Sequence, residues 1–440
     1  MMTQAWRALS ALCVGFFMIL LDQSIVSVAT PAIQEELQAS YSQAMWVHSV
    51  YLLTFAVPLL VMGRLGDRCG PRRVYLCGLV LFTASSVVCG LAPGIEVLIA
   101  GRATQGVGGA MMAPQTMVVI NRVFPRDKRG AALGVWGAVA GLSNLLGPLL
   151  GGVITQLASW QWIFLINVPL GLVTLALVLR WVPNLETTQS RIDGPSIVLS
   201  IVGISCVVFS IQERAHVWLL AAGLVLAVMF IRRQARLSET ALLPVGLFRR
   251  RHFSFGNVSI FAMGFTIAGM MVPVMMYLQD VQHVSPLAAG LMVTPMSIIA
   301  GVLAPYVGRL VDRQDPRPVS MAGFLMMAVG VAMLVFCLRP EVSAWWVTGA
   351  MVVLGFGNAC VWSPNSTLTL RDLPGEVAGA GSGMYNFMRQ LGAVTGTAVL
   401  AAVLQARVDM GSAAAFAESL VPALVMLCVG LWAASRAKEQ

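Results

Sequence analysis

The chain has 440 residues, of which 58% are hydrophobic and only 11% are charged. Soluble domains carry about 25% charged residues, so this composition excludes a water-soluble globular protein and indicates a chain whose solvent is the lipid bilayer. The formal net charge of +9 does not indicate nucleic-acid binding, because the basic residues cluster at alternate ends of apolar segments.

The cysteines and histidines give no sign of a metal or disulfide centre. The eight cysteines are scattered singly, no C-x-x-C occurs, and the four histidines are equally dispersed. This pattern predicts neither a zinc site nor a disulfide framework. The sequence also lacks a nucleophile–base cluster, so we expect a protein that is not an enzyme and that holds no metal or cofactor.

Fourteen apolar segments follow one another along the chain, and a helix needs about 20 residues to cross a bilayer. The first segment contains Asp22 and is longer than the apolar region of a signal peptide, which predicts a retained first helix. The eighth is the shortest, at about 15 residues. The segments are 8–30, 43–63, 74–92, 95–120, 131–155, 162–182, 195–212, 217–231, 253–279, 285–307, 319–337, 344–369, 379–404 and 417–435.

The basic residues predict the orientation of these helices. All but five of the 28 Lys and Arg residues lie in connections that are cytoplasmic if the N-terminus is inside. The exceptions are Arg214, Arg339 and Arg407 in outer connections, and Arg102 and Arg389 within helices. Because cytoplasmic connections are enriched in Lys and Arg, this bias predicts an even number of helices with both termini in the cytoplasm.

Asp22 is the only acidic residue deep in a predicted helix. A charged Asp at that depth costs roughly 2.5–3.5 kcal/mol on insertion scales, so it needs a partner, a proton or a cavity. Counted from the helix ends, Asp22 and Arg102 both lie about 10–12 Å below the outer surface, where they can meet. The two form either a structural ion pair or a protonatable site that exchanges a proton as the side chains separate.

An internal repeat predicts two related halves. Residues 63–74 read GRLGDRCGPRRV and residues 308–319 read GRLVDRQDPRPV, which are identical at eight of twelve positions. One copy follows the second helix and the other follows the tenth, so an extra helix pair at 195–231 separates two six-helix halves. Parallel repeats with a binding site at their interface are a known transporter architecture. We predict a six-helix bundle over 1–185, the inserted pair with a basic cytoplasmic linker over 186–247, and a second bundle over 248–440.

The two repeat segments have a mechanical interpretation. Gly63 and Gly66 allow a tight turn and close approach, and Asp67 can face the positive N-terminal end of a helix. The arginines Arg68, Arg72 and Arg73 are expected to stay in the cytoplasm or at lipid phosphates. The segments act either as topological anchors alone or as a latch between conformations.

Helix five and the C-terminal half supply the remaining candidates. Ser143, Gly147 and Gly151 recur at every fourth position, so a second helix can approach closely, and Pro148 permits a bend. Arg389 lies mid-helix, where it either orients an inner network or attracts an anionic substrate. Aromatic residues there either line a cavity or simply pack. The candidate cavity residues are Gln105, Trp136, Trp362, Tyr385, Asn386 and Arg389.

These motifs resemble those of the major facilitator superfamily, specifically its fourteen-helix drug:proton antiporter branch of multidrug efflux transporters. The resemblance covers essentially the whole chain and is most specific over 20–172. Thr30 departs from the usual alanine-leucine-proline ending of the first-helix motif, and Ser143 replaces a glycine of the helix-five motif. The segments that carry the resemblance are 21–31, 63–74, 102–110, the G-P-x-x-G-G at 147–152, 160–171 and 386–392.

The resemblance implies roles for particular residues. Asp22 and Arg102 would couple transport to protons, and the glycine-rich helix five is typical of exporters rather than symporters. The implied conformational latch comprises Gly63, Asp67, Arg68, Gly308, Asp312 and Arg313. The implied antiporter helix comprises Gly134, Gly147, Pro148, Gly151 and Gly152.

We therefore expect an all-α, multi-pass protein of the cytoplasmic (inner) membrane that exports small, lipophilic, drug-like or toxic compounds in exchange for protons. Its energy source would be the proton gradient, its partners small molecules, protons and lipid, and its working unit a monomer, with a periplasmic adaptor left open. The alternatives are a proton-coupled uptake symporter and a non-transporting membrane sensor or scaffold. A single deep acid argues against a specialist for divalent cations, whereas tetracycline-like chelates, natural products, dyes and biocides stay open.

Overall fold

The computed structural model describes residues 2–125, 129–185, 187, 193–213, 217–237, 245–311, 314–339, 341–370, 373, 375–410 and 414–437. Every regular element in these residues is helical. The helices before residue 190 are α1 (Met2–Glu36), α2 (Tyr41–Ala56), α3 (Leu59–Cys69), α4 (Pro71–Gly90), α5 (Ile95–Val123), α6 (Arg129–Leu157), α7 (Trp162–Leu165) and α8 (Asn167–Trp181).

The remaining helices follow in the same alternation of long segments and short connections. A 3-10 turn at Val245–Arg249 precedes α11, and a π-helical turn at Tyr277–Val281 extends it. These helices are α9 (Gly194–Glu213), α10 (Val217–Arg236), α11 (Arg251–Met276), α12 (Pro286–Val311), α13 (Pro316–Cys337), α14 (Trp345–Leu370), α15 (Gly375–Asp409), α16 (Ala415–Ser419) and α17 (Val421–Arg436).

Twelve helices in the described chain are long and apolar enough to cross a membrane. Large apolar side chains such as Trp218 and Leu224 on α10 are exposed on them, as contact with lipid requires. The predicted multi-pass helical membrane protein is therefore confirmed. Two helical segments fall outside that set: α2 with α3, which Val57 and Pro58 separate, and the 29-residue α5. The predicted count of fourteen spans stays a prediction.

The chain divides into two compact units, Met1–Ile197 and Val198–Gln440. In the first unit α4 packs on α5, α1 on α6, α2 on α5 and α1 on α8. In the second unit α13 packs on α14, α11 on α15, α12 on α14 and α11 on α17. Helices at corresponding places along the chain therefore pair in the same way, as the internal repeat predicts. The predicted boundaries at residues 185 and 247 stay predictions.

Local sequence signals explain where several helices begin. Ser40 and Gln43 form a reciprocal capping box at the start of α2, with Gln43 N donating to Ser40 Oγ at 3.2 Å. Pro71 and Pro316 occupy the first positions of α4 and α13, where proline has no backbone donor to lose. These prolines fix the first residues of two equivalent helices, one in each unit.

The first repeat segment does not turn at Gly63 or Gly66. Both glycines lie within α3, and Gly308 lies within α12, so the tight turn that Gly63 and Gly66 allow does not form there. The close approach that they also allow is present at Gly66, where a Cβ would lie 1.9 Å from Gln115 Oε1. The chain turns at Gly70 instead, where φ is +94° and a side chain would be strained. Gly70 ends α3 and begins α4 as a single connecting residue.

Candidate functional site

The first unit buries a carboxylate and a guanidinium side by side. Asp22 on α1 is 1% exposed and Arg102 on α5 is fully buried. Arg102 Nη1 donates to Asp22 Oδ2 in a buried ion pair. The contact predicted from the matching depths of the two residues is thus present, whereas a role in proton coupling stays a prediction.

Two amide side chains complete the surroundings of the carboxylate. Gln105 Nε2 and Asn167 Nδ2 each donate to Asp22 Oδ1 at 3.0 Å. Arg102 Nη1 also donates to Gln105 Oε1 at 2.6 Å, and Gln105 Nε2 lies 2.8 Å from Ser86 Oγ. Both oxygens of Asp22 therefore accept hydrogen bonds, from donors on α5 and α8.

The arginine is held from further directions. Its Nε donates to the carbonyl of Val47 at 3.1 Å, and its guanidinium carbon lies 4.0 Å from the centroid of the Tyr51 ring. Phe164 is the second aromatic neighbour, at 5.6 Å. Cation–π contacts strengthen when they are shielded from water. The Nη2 atom of Arg102 is buried without a hydrogen-bond partner, so three of the five N–H groups of the guanidinium are bonded and two stay unpaired.

Glycines bring α5 close enough to its neighbours for these contacts to form. A Cβ at Gly106 would lie 2.1 Å from Thr54 Oγ1 and 2.5 Å from the carbonyl of Tyr51, on α2. A Cβ at Gly101 would lie 2.7 Å from Cys89 Sγ on α4. The glycine run after Arg102 is therefore a packing surface, and it sets the distance between Arg102 and its partners.

Helix α6 lies against α1 next to the carboxylate. A Cβ at Gly147 would lie 1.9 Å from Ser24 Oγ and 2.6 Å from Ser24 Cβ, and one at Gly151 would lie 2.9 Å from the carbonyl of Ile25. Ser143 is fully buried on the same face, and its Oγ donates to Val139 O at 2.8 Å. Gly134, Pro148 and Gly152 lie within α6 as well. The predicted antiporter residues thus form one helix, which contacts α1 within two residues of Asp22.

The residues of the predicted latch are only partly described. Arg68 is exposed at the end of α3, and α3 contains Asp67, whose side chain is not described. Gly66 contacts α5 closely, since a Cβ there would meet Gln115 Oε1 at 1.9 Å. In the second copy, Gly308 lies 3.8 Å from Ser363 Oγ by the same measure, and Asp312 and Arg313 lie outside the described residues.

One pair of repeat arginines has a contact that the sequence did not predict. Arg72 Nη2 donates to the carbonyl of Leu179 at 2.5 Å, near the end of α8. The equivalent Arg317 donates to the carbonyl of Ser435, near the end of α17. The expectation that Arg72 stays in the cytoplasm or at lipid phosphates stays a prediction, and the structure adds this contact with a helix end. A guanidinium at a helix C-terminus satisfies carbonyls left without a helical partner.

The second unit holds the other cavity candidates. Arg389 lies on α15 with its guanidinium carbon 5.3 Å from the Trp362 ring, and Trp362 is 48% exposed. Tyr385 is buried and accepts from Asn365 Nδ2 at 3.2 Å, while Asn386 Nδ2 donates to Ser382 O at 3.1 Å.

The first unit holds the other two cavity candidates. Gln105 is buried in the Asp22 cluster. Trp136 stacks on Phe16 with ring centroids 4.6 Å apart. The cavity role of all six candidates stays a prediction. In the described part of the chain, no group of three or more His, Cys, Asp or Glu residues could hold a metal.

Sequence reasoning missed three members of the Asp22 cluster. Asn167 falls in the quoted segment 160–171 but was given no contact, and Ser86 and Tyr51 were not singled out. A polar amide within an apolar segment was the available signal for Asn167. Ser86 and Tyr51 carry no charge, and only the packing of the helices brings them next to the cluster, so the sequence offered no signal for them.

A family model described as Major Facilitator Superfamily matches residues 12–397, most of the chain. The chain belongs to the major facilitator superfamily. The predicted family is confirmed, and this member of the superfamily is a transporter rather than an enzyme. It is embedded in a membrane and moves a small-molecule substrate.

Similar proteins support the assignment to the superfamily along nearly the full length. An uncharacterized MFS-type transporter of Mycobacterium tuberculosis is 41% identical over 92% of this chain and 71% of its own. The tetracenomycin C resistance and export protein of Streptomyces glaucescens is 33% identical over 95% of this chain and 79% of its own.

The fold matches as well. A crystal structure of a bacterial homolog of the human lysosomal transporter Spinster has a TM-score of 0.71 at 15% identity, over 98% of this chain and 96% of the other.

Proposed function

We propose that this transporter exports small, lipophilic, drug-like or toxic compounds across the cytoplasmic membrane in exchange for protons, by alternating access. The observation that carries the proposal is the buried ion pair of Asp22 and Arg102, with Gln105 and Asn167 on the remaining carboxylate oxygen. The similar protein of Streptomyces glaucescens is a tetracenomycin C resistance and export protein, and the chain matches it over most of its length, which supports export.

The cluster suits proton coupling because its donors lie on different helices. Asp22 lies on α1, Arg102 and Gln105 on α5, and Asn167 on α8. A shift of α1 relative to α5 would remove Arg102 from Asp22 and leave a buried, unpaired carboxylate, which is costly. Binding a proton relieves that cost, and re-forming the ion pair expels it. Each proton that crosses 100 mV supplies about 2.3 kcal/mol.

The direction of transport rests on α6. Gly147 and Gly151 hold α6 against α1 at Ser24 and Ile25, adjacent to Asp22. Tight packing there resists proton leak beside the coupling site. The G-P-x-x-G-G signature at 147–152, which resembles that of exporters, favours efflux over uptake.

The proposal includes a topology of fourteen spans with both termini in the cytoplasm. In addition to the twelve apolar helices, α2 with α3 and α5 would each cross once. The three-part division at residues 185 and 247 and the latch role of the repeat segments belong to the same proposal. The transporter would work as a monomer, and the proton gradient would be its energy source.

The test uses everted membrane vesicles with an acidic interior, ethidium as a cationic dye and fluorescein as an anionic one. We expect at least one dye to accumulate inside as protons leave, which a pH-sensitive probe reports. Asp22→Asn should reduce coupled accumulation to that of vesicles lacking the protein and still bind dye. Glu35→Gln, which removes an exposed carboxylate from the same helix, should behave as wild type.

Two outcomes would overturn the proposal. If neither dye accumulates nor dissipates the pH gradient, and Asp22→Asn changes nothing, the antiport mechanism fails and a sensor or scaffold becomes the better explanation. If uptake into right-side-out cells depends on Asp22, the protein is a symporter.

A further inference from the structure

Arg102 and Arg389 both lie within apolar helices but differ in burial and in how their charge is compensated, since Arg102 is fully buried and Arg389 is partly exposed. Arg102 pairs with Asp22 and with the Val47 carbonyl. Arg389 makes no salt bridge and no hydrogen bond with the residues that the structure describes, and its Nε atom is buried without a partner. Arg389 lies eight residues into the apolar span that begins at Gly381, about 12 Å along the helix axis.

An uncompensated guanidinium at that depth is costly, because the low-dielectric surroundings do not replace its hydration shell. Arg389 is partly exposed, and its terminal nitrogens make no hydrogen bond with the residues that the structure describes, so they are free to bind a ligand. A guanidinium presents a planar fork of donors that matches a carboxylate with two parallel hydrogen bonds. The missing counter-ion of Arg389 is therefore best supplied by a ligand.

The surroundings of Arg389 offer contacts for the rest of such a ligand. The Trp362 ring lies 5.3 Å from the guanidinium carbon and is 48% exposed, so one aromatic face is open for stacking. One turn before Arg389, the Tyr385 hydroxyl accepts from Asn365 Nδ2 at 3.2 Å. Asn365 itself is fully buried and holds the Tyr385 hydroxyl in place.

The backbone that carries Arg389 is fixed by close packing. A Cβ at Gly264 on α11 would lie 2.2 Å from the carbonyl oxygen of Arg389, and one at Gly392 would lie 2.1 Å from the carbonyl oxygen of Phe261. The two helices are in backbone contact on either side of the arginine. A site on a rigid backbone loses little freedom when a ligand binds, which raises affinity.

We propose that Arg389 and Trp362 form a cargo subsite for aromatic acids, with the carboxylate on Arg389 and the ring against Trp362. This inference rests on the proposed export function and specifies its substrate class: compounds that carry an acidic group on a fused aromatic framework. The cargo itself then supplies the counter-ion that Arg389 lacks among the described residues.

The test measures equilibrium binding to the purified full-length protein in lipid nanodiscs, without a proton gradient. The probes are 2-naphthoate, 9-anthracenecarboxylate and 1-pyrenecarboxylate, each paired with its uncharged primary carboxamide and followed by fluorescence anisotropy. We expect an acid to bind about tenfold or more tighter than its amide, the scale of a charge-assisted hydrogen-bond pair.

Four variants locate the effect. Arg389→Gln should abolish the preference for the acid and leave amide binding within about twofold. Arg389→Lys should keep part of it, because a lysine keeps the charge but loses the fork. Trp362→Leu should weaken acid and amide alike. Arg407→Gln, which removes an exposed arginine paired with Glu418 from the same helix, is the control and should bind as wild type.

Several results would overturn the subsite: no acid of the panel binds, acids and amides bind equally, or Arg389→Gln keeps the preference. Should Arg389→Gln fail to fold, wild-type acid binding by both Arg389→Lys and Trp362→Leu would overturn the subsite. Failure of the subsite can be distinguished from failure of the proposed antiport. Ethidium exchange for protons without acid binding overturns the subsite alone, and Arg389-dependent acid binding without proton exchange overturns antiport alone.

Discussion

The side-chain amide of Asn167 donates one of the two hydrogen bonds that reach Oδ1 of Asp22. Asn167→Ala should lower proton-driven efflux about tenfold, since a hydrogen bond to a charged group contributes about 1.5–3 kcal/mol. Downhill movement of the same dye, without a proton gradient, should change much less. The measurement is the ratio of the two rates in vesicles.

Thr174→Val is the matched control for Asn167→Ala. Thr174 lies two turns further along α8, and its hydroxyl donates only to Leu170 O within the same helix, at 2.7 Å. Asn167→Ser, which keeps a donor, should retain more coupled efflux than Asn167→Ala. Equal ratios for Asn167→Ala and Thr174→Val would show that the amide has no part in coupling.

At the scale of single residues, contacts between charged side chains could be predicted from the sequence. Asp22 and Arg102 stand out in apolar segments, and matching their depths was enough to predict their contact. The hydroxyl of Ser86 and the ring of Tyr51 could not be assigned, because polar and aromatic residues are common in such helices and their neighbours depend on how the helices cross. Gln105 was singled out for a cavity, and its bonds to Asp22 and Ser86 became visible only in the fold.

At the scale of single elements, α6 offers a test in which one helix carries both variant and control. Gly147→Ala should lower the free energy of unfolding by about 1–3 kcal/mol, because the new Cβ would lie 2.6 Å from Ser24 Cβ and the helices must move apart. Thermal unfolding in detergent measures the loss, and vesicle proton leak should rise with it.

Gly141→Ala is the control on the same helix. No atom lies within 4 Å of a Cβ at Gly141, so the added methyl group meets open space. Alanine also favours a helix over glycine by about 0.5–1 kcal/mol, so this variant should be as stable as wild type or slightly more stable. If both variants behave alike, the contact of α6 with α1 does not depend on glycine.

The repeat segments show why elements are harder to predict than charges. Glycine is compatible with two opposite structures, a turn and a close contact between helices. Gly66 serves the second, against Gln115, whereas Gly70 serves the first with its positive φ. The sequence 63–74 contains all the relevant glycines, but only tertiary contacts separate their roles.

At the scale of the whole molecule, the proposed orientation can be tested with a cysteine that the chain already has. Cys69 is exposed at the end of α3, a cytoplasmic position in the proposed topology. A membrane-impermeant maleimide should label Cys69 in everted vesicles and not in intact cells. Ser40→Cys in a Cys69→Ser background should show the reverse, because Ser40 is exposed between α1 and α2.

The number of membrane spans can be tested with reporter fusions. Reporters fused after Val182 and after Leu237 should both be cytoplasmic if α9 and α10 each cross the membrane. Reporters on opposite sides would leave one crossing between them and contradict fourteen spans. Labelling of Cys69 from outside intact cells would reverse the whole orientation.

Much of the global organisation was predictable because it follows from hydropathy and from duplication. Apolar lengths predicted the membrane helices, and the repeated GRLxDR segment predicted two units with one packing pattern, in which α4 on α5 corresponds to α13 on α14. The lack of a counter-ion at Arg389 among the described residues was not predictable from the sequence. It depends on which side chains surround one guanidinium, and the sequence left an inner network and an anionic ligand equally open.

The one-residue turn at Gly70 leaves no slack between α3 and α4. A displacement of α3 along its axis must therefore carry α4 with it. Ser86 lies on α4 about 22 Å from that turn and is bonded to Gln105, which in turn bonds Asp22. Because α4 is one continuous helix between Gly70 and Ser86, a movement of the turn at Gly70 would be transmitted through α4 and Gln105 to the carboxylate of Asp22.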